Sequence, residues 1–145
     1  MRISCGVLFV KNKQILLAHG VYKDLWDIPK GQPEINETDF KQTAIRECRE
    51  EIGFEVMADD LMPLGIKPFH ENKQLALFLY TGDVYPDVNK CKCSTTYKDK
   101  VSGEHITEMD DFKYVALKDV DKYCAKELSK ILNEFYEQFY GGLAA

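Results

Sequence analysis

The residues best suited to chemistry in this sequence are three glutamates, Glu47, Glu50 and Glu51, at i, i+3 and i+4 in the run AIRECREEIGF. On a helix of about 3.6 residues per turn they share one face. Like charges at this spacing repel by roughly 0.2 to 0.5 kcal/mol per pair, so a helix that gathers them calls for a compensating charge. A hard divalent cation meets that need, because Mg²⁺ takes oxygen ligands and is commonly held by one or two carboxylates with water and substrate phosphate. The competing reading is a solvated face laced with ion pairs. Arg46 and Glu50 stand at i, i+4, although base before acid is the weaker order.

The apolar stripe separates these readings. Phe40, Ala44, Ile45, Cys48 and Ile52 recur with helical period, and Glu51 falls at the edge of that stripe, between Glu47 and Ala44. A purely solvated face would lie opposite it. Gly53 supplies a stop. Upstream, Pro29 to Glu37 (PKGQPEINE) is turn-rich, with a cap expected at Asn36 or Thr38. Loop, helix and terminal glycine form one unit from Trp26 to Phe54.

That unit resembles the box of the Nudix hydrolase family: a glycine, five residues, a glutamate, seven residues, then REUXEEXGU with U bulky and apolar. Gly31, Glu37, Arg46, Glu47, Cys48, Glu50, Glu51, Gly53 and Phe54 occupy those places, Cys48 being a small occupant of a U position. One spacing departs, since eight residues, Thr38 to Ile45, separate Glu37 from Arg46. Placed at the helix entrance near Thr38 and Asp39, the added residue leaves Arg46 to Phe54 in register. It bears only on the contact expected between Glu37 and Arg46. A match over so many fixed positions is far more specific than a short Gly-rich turn. The WDIPKG lead-in and the EMDDFKYVAL segment extend the likeness.

The resemblance implies an α/β fold, the Nudix α/β/α sandwich with a mixed β-sheet between helices, as a single domain over residues 1–145. It implies Mg²⁺-dependent hydrolysis, with Mn²⁺ as a substitute, of a phosphoanhydride in a nucleoside diphosphate linked to another moiety. Glu47, Glu50 and Glu51 are then the metal ligands and catalytic residues. A downstream carboxylate often joins such a site; Glu108 is the first choice and Glu104 the second, the latter reading better as a solvated loop acid. Gly31, Lys30 and Arg46 are the remaining binding candidates, Lys30 as a point charge for phosphate and Gly31 through backbone access and an unusual turn angle. The PKG tripeptide, where nucleotide-pool cleaners have PGG, is similar to members acting on dinucleoside polyphosphates, capped or triphosphorylated RNA ends, or inositol diphosphates. The expected partner is therefore a small nucleotide or a nucleic-acid 5′ end. The alternative is a catalytically silent Nudix-fold module that senses a nucleotide; such members commonly have a degraded box and an attached DNA-binding domain, and here every carboxylate of the box is present. An isoprenoid-diphosphate isomerase on the same fold would need a longer chain.

Composition bounds these readings. With 145 residues, 45% hydrophobic and 12% aromatic, the chain suits one domain with a proper core. A net charge of −5 argues against general affinity for nucleic acid or anionic membranes, so an anionic substrate must meet local cations. No run approaches the roughly 18 apolar residues of a spanning helix, and the N-terminus lacks signal-peptide features. Cytoplasmic residence without a membrane partner is expected, and monomer and homodimer both stay open. Five cysteines fit reduced thiols, and Cys91-Lys92-Cys93 lacks the second pair of a zinc site. His19, His70 and His105 sit in or beside loops and read as surface or supporting residues. Trp26 and Phe69 read as core or as aromatics able to stack on a base.

The elements that must position these residues are legible from periodicity. Residues 2–10 and 14–18 read as a hairpin over Lys11, Asn12 and Lys13, and WDIP reads as a short strand delivering Lys30 and Gly31. Residues 54–57, 62–69, 74–83 and 112–117 read as further strands. Residues 85–106 lose periodicity and read as a long excursion, a lid or a specificity loop. From Asp119 a helix is expected, its stripe running through Leu128, Ile131, Leu132, Phe135 and Phe139, with a frayed tail at Gly141–Ala145.

Overall fold

Side-chain alternation along three strands divides the core in two. The computed structural model describes residues 2–144. In it β1 (Arg2–Leu8), β3 (Gln14–Gly20) and β7 (Lys73–Tyr80) are apolar on both faces, the mark of strands covered on each side. Cys5, Val7, Leu16, Ala18, Ala76 and Phe78 face α1 (Phe40–Ile52), which contributes Ala44, Ile45, Cys48 and Ile52. Leu8, Ile15, Leu17, Leu75 and Leu77 face the other way. There α2 (Lys126–Ala144) brings in Leu128, Ile131, Leu132 and Phe135. The result is the expected α/β/α layering.

Two sheets make the middle layer. The mixed sheet has the order β5 (Lys30–Gly31), β1, β7, β6 (Leu61–His70); β1 and β7 run parallel and the other pairs antiparallel. The second sheet sets β3 between β10 (Met109–Ala116) and the short β2 (Val10–Lys11), and β4 (Leu25–Asp27) also pairs with β3. A separate ribbon of β8 (Thr96–Lys98) and β9 (His105–Thr107) lies within the polar excursion.

Several local expectations are corrected. The hairpin of residues 2–10 on 14–18 shrinks to two pairs, Val10 with Ile15 and Lys11 with Gln14, turned by Asn12 and Lys13 at φ of 54° and 60°, the backbone of a tight hairpin turn. The rest of the first run joins the other sheet, because β1 pairs with β5 and β7 instead. Residues 54–57 form no strand: Gly53, at φ 72°, ends α1 in the left-handed conformation, and the chain reaches β6 through a 3₁₀ turn at Ala58–Asp60. The last helix starts at Lys126, not Asp119. Leu117–Lys122 is 3₁₀, and the Tyr123 carbonyl beyond it accepts the Trp26 N–H of β4. Phe139 is 40% exposed, outside the buried stripe. Backbone helix continues through Gly141–Ala144 where fraying was expected, and Ala145 lies outside the described residues.

Candidate active site

The entrance to α1 absorbs the extra residue. Asp39, rather than Asn36 or Thr38, is the cap, its Oδ1 accepting from the Lys41 N–H at 3.0 Å. Ahead of it a turn folds Glu37 back over Glu34, and the Arg46 guanidinium donates to Glu37 through Nε at 2.8 Å and Nη2 at 2.9 Å. The contact that the spacing put in question is therefore made, in the bidentate form that Arg favours. These bonds hold the Glu37 carboxyl down to about 2. Arg46 Nη1 also reaches Glu47 at 2.8 Å and Glu50 at 2.9 Å, and Nη2 reaches the Gln32 carbonyl. Its charge is thus committed to the chain itself, which makes it a support for the acids rather than a contact for substrate.

The far end of α1 is held by the excursion. Lys92 N–H donates to the Ile52 carbonyl at 3.0 Å and Ser94 N–H to the Glu50 carbonyl at 2.7 Å, satisfying last-turn acceptors that a helix leaves open. Of residues 85–106, Tyr97 of β8 lines the cleft described below.

Between these anchors, Glu47 and Glu51 turn toward β5. A Cβ on Gly31 would stand 2.1 Å from the Glu47 carboxyl carbon, so only glycine admits that carboxylate. Gly31 has no left-handed φ; the expected unusual turn angle is absent, and lack of a side chain is what the position requires. The Lys30 N–H donates to Glu51 Oε1 at 2.9 Å. Burial raises the Glu47 carboxyl to about 7, with Glu50 and Glu108 adding repulsion and Arg46 opposing it. Burial likewise raises Glu51 to about 8, with Glu47 and Asp27 adding to the effect against the Lys30 N–H. Lys30 Nζ stands 3.1 Å from Asp27 Oδ2. Burial works against its charge, but Asp27, Glu51 and Glu47 more than offset this and hold its pKa above the ordinary value.

A buried carboxylate, Glu51, and a partly buried one, Glu47, in a cradle that a Cβ would fill are a donor set suited to a hard divalent cation. Glu47 and Glu51 are the residues that could hold one, and Glu50 only on leaving Arg46. Among the described residues no three His, Cys, Asp or Glu groups converge as a complete metal site, so water and substrate oxygens would complete the shell, as is usual for Mg²⁺. When bound, such an ion neutralises a diphosphate and lowers the pKa of a coordinated water.

A cleft of about 480 Å³ adjoins these residues and is walled by Tyr22, Trp26, Phe69 and Tyr97, with Lys30, Lys73 and Glu108 among its polar groups. Trp26 and Phe69 pack against the core and also line the cleft. Glu108 is brought to the site, lining the cleft and acting on the Glu47 charge. Glu104 is exposed and is not. His70 lines the cleft, His105 is exposed, and His19 lies between two aspartates. Asp27, Tyr22, Lys73 and Tyr97 were not singled out from sequence. Asp27 had a signal, at i, i+3 from Lys30, whereas the tyrosines and Lys73 lie in segments whose partners only the tertiary fold reveals. All five cysteines are free thiols. No helix among the described residues is long and apolar enough to cross a membrane.

The chain is similar to known proteins over nearly its whole length. An uncharacterised 17.7 kDa protein of Enterobacteria phage T4 is 31% identical over 144 residues, covering 92% of this chain and 95% of its own. The crystal structure of a C. elegans Ap4A hydrolase binary complex matches with a TM-score of 0.64 at 21% identity, covering 95% of this chain and 98% of that one. A bifunctional NMN adenylyltransferase/ADP ribose pyrophosphatase from Francisella tularensis, complexed with AMP and a Mn ion, matches with a TM-score of 0.62 at 18% identity, over 94% of this chain and 41% of that one. With the NUDIX domain profile matching residues 1–139, the chain belongs to the Nudix family.

Proposed function

We propose that this protein is a Mg²⁺-dependent pyrophosphohydrolase that cleaves a phosphoanhydride in a nucleoside diphosphate linked to another moiety, with a dinucleoside polyphosphate as the favoured substrate over a nucleic-acid 5′ end. The observation that carries the reading is the seating of the partly buried Glu47 carboxylate against Gly31 and of the buried Glu51 carboxylate against the Lys30 N–H, next to an aromatic cleft that shares Lys30 and Glu108. Glu47 and Glu51 hold the cation; Lys30 meets a phosphate oxygen. Trp26 and Phe69 offer faces for a base, a contact worth about 1–3 kcal/mol per base in single-stranded nucleic-acid sites. Glu108, which lines the same cleft, is the base that takes a proton from an attacking water in this reading. The nucleotide seen with the Francisella relative, and the Ap4A hydrolase activity in the name of the C. elegans one, support the substrate class.

The test is a panel of diadenosine tetraphosphate, ADP-ribose, nucleotide sugars, NADH, dNTPs and 5′-triphosphorylated RNA, each with Mg²⁺ and with chelator. Metal-dependent turnover of at least one member is expected. A second reading, a sensor that binds without hydrolysis, draws on the ion pairs by which Arg46 already neutralises Glu47 and Glu50. Tight nucleotide binding with no turnover by the wild type would favour it.

A further inference from the structure

His19, near the end of β3, stands between acids from two distant parts of the chain. Its Nδ1 lies 2.5 Å from Asp110 Oδ1 and its Nε2 2.6 Å from Asp24 Oδ1. A neutral imidazole has one N–H and one acceptor nitrogen, so it satisfies one carboxylate and turns a lone pair on the other. Two carboxylate partners at these distances call for the imidazolium, which donates through both nitrogens. Asp24 closes the turn after β3 and adopts a left-handed φ of 53°, a conformation that Asp takes up more readily than most residues. Asp110 is the residue at which β10 slips register against β3, between Met109 and Asp111.

Both segments wall the cleft. The turn supplies Tyr22 and Lys23, and the residues before the register slip supply Glu108 and Met109. They already touch through the Val21 N–H, which donates to the Glu108 carbonyl at 3.0 Å. Tyr22 meets Tyr97 edge to face at 5.4 Å, and the His19 ring lies 5.2 Å from that of Trp26.

We propose that His19 is a positioning residue: as the imidazolium it clasps Asp24 to Asp110, holding the Val21–Asp24 turn and the Glu108–Met109 segment as walls of the nucleotide cleft, a role that rests on the function proposed above. The charged groups on the surrounding elements are Lys23 and Asp24 of the turn, Asp27 of β4, Glu108 ahead of β10, and Asp110, Asp111 and Lys113 of β10. Among the described residues, hydrogen bonds to the ring are made only by Asp110 and Asp24. These bonds, Asp110 first, raise the His19 pKa above 6.5 against a smaller effect of burial. The clasp therefore contributes fully below the unfolded value and is lost as pH rises through the folded one. Because the Asp24 and Asp110 side chains are 91% and 52% exposed, salt weakens it.

The protein has one tryptophan, so Trp26 emission reports its neighbour, protonated imidazole being a quencher of indole. In ligand-free protein, emission is expected to rise through a step as pH increases from about 5 to about 9, its midpoint above the ordinary histidine value of about 6.5. Asp24→Asn and Asp110→Asn should each lower the midpoint, and His19→Gln should abolish the step; Asp24→Asn changes an exposed side chain, so it tests the clasp without risk to the core. The dissociation constant for adenosine, whose base does not titrate in this range, should rise about five- to tenfold through the same midpoint, the scale of losing about one charged hydrogen bond. His19→Gln should bind adenosine weakly and without that pH dependence. Absence of a His19-dependent emission step, or unaltered adenosine binding by His19→Gln, overturns the proposal. If the emission step is present but adenosine does not bind at any pH, the nucleotide reading of the cleft fails and the proposed role falls with it; adenosine binding that ignores pH defeats the clasp alone.

Discussion

Replacing Glu51 by glutamine should stabilise the metal-free fold while removing its chemistry. The Glu51 side chain is nearly buried. Burial, with Glu47 and Asp27, raises its carboxyl from 4.5 to about 8 against the opposing Lys30 N–H. In the unfolded chain that carboxyl is ionised above its ordinary value, so folding at neutral pH takes up a proton. By linkage, stability then falls as pH rises from about 4.5 toward 8, at a cost of about 3 kcal/mol at pH 7. Part of that cost is shared with Glu47, itself raised to about 7. Glutamine keeps an oxygen for the Lys30 N–H and carries no charge. In chelator, Glu51→Gln should therefore be more stable than wild type by about 1–3 kcal/mol near neutral pH, the gap closing as pH approaches the ordinary carboxylate range. Mg²⁺ should stabilise the wild type, by about 2.7 kcal/mol at a hundredfold excess over its Kd, and leave the variant unmoved. Urea unfolding across this pH range, with chelator and with Mg²⁺, measures both. A variant less stable than wild type at every pH, or a gap that does not change with pH, refutes the reasoning.

Three other outcomes follow from the same contacts. Gly31→Ala places a Cβ 2.1 Å from the Glu47 carboxyl carbon, and the carboxylate must move; kcat/KM should fall about a hundredfold, the scale of an ångström-sized misplacement, with Tm little changed. Glu37→Gln removes the charge that Arg46 grips twice and should cost about 1–3 kcal/mol by urea unfolding; because the Glu37 carboxyl is held at about 2, wild-type stability from this pair is present above the ordinary carboxylate pKa and lost as pH falls toward 2, and the variant should lack that acid-side slope. Glu108→Gln should lower kcat about a hundredfold or more, as for loss of a general base, with Tm unchanged, and full retention of kcat would remove Glu108 from the chemistry.

What the sequence made legible is what local periodicity encodes. The helix carries its own stripe, stop and acid spacing, and Gly53 ends α1 (Phe40–Ile52) as predicted. Strands buried on both faces announce themselves as unbroken apolar runs, as β1 and β7 do. Residues 54–57 read as a strand but form none: Val56 is buried without a strand partner, and apolar character alone does not distinguish strand from buried coil. Asn36, Thr38 and Asp39 all suit the cap role by residue type, so the sequence does not single out Asp39, which caps the helix in the fold. The cleft was the least legible part. Tyr22, Phe69 and Tyr97 lie on three segments that share no pattern, and His19 acquires its two acids only when β10 pairs beside β3 with a slipped register.

The most direct measurement of the central claim is hydrolysis of diadenosine tetraphosphate in ¹⁸O-labelled water, with the products resolved by mass, for wild type and Glu51→Gln. The account predicts Mg²⁺-dependent cleavage by the wild type with one labelled oxygen on a product phosphate, abolished by chelator and by Glu51→Gln while the variant stays folded. Turnover that persists undiminished in Glu51→Gln, or that needs no divalent ion, would contradict it.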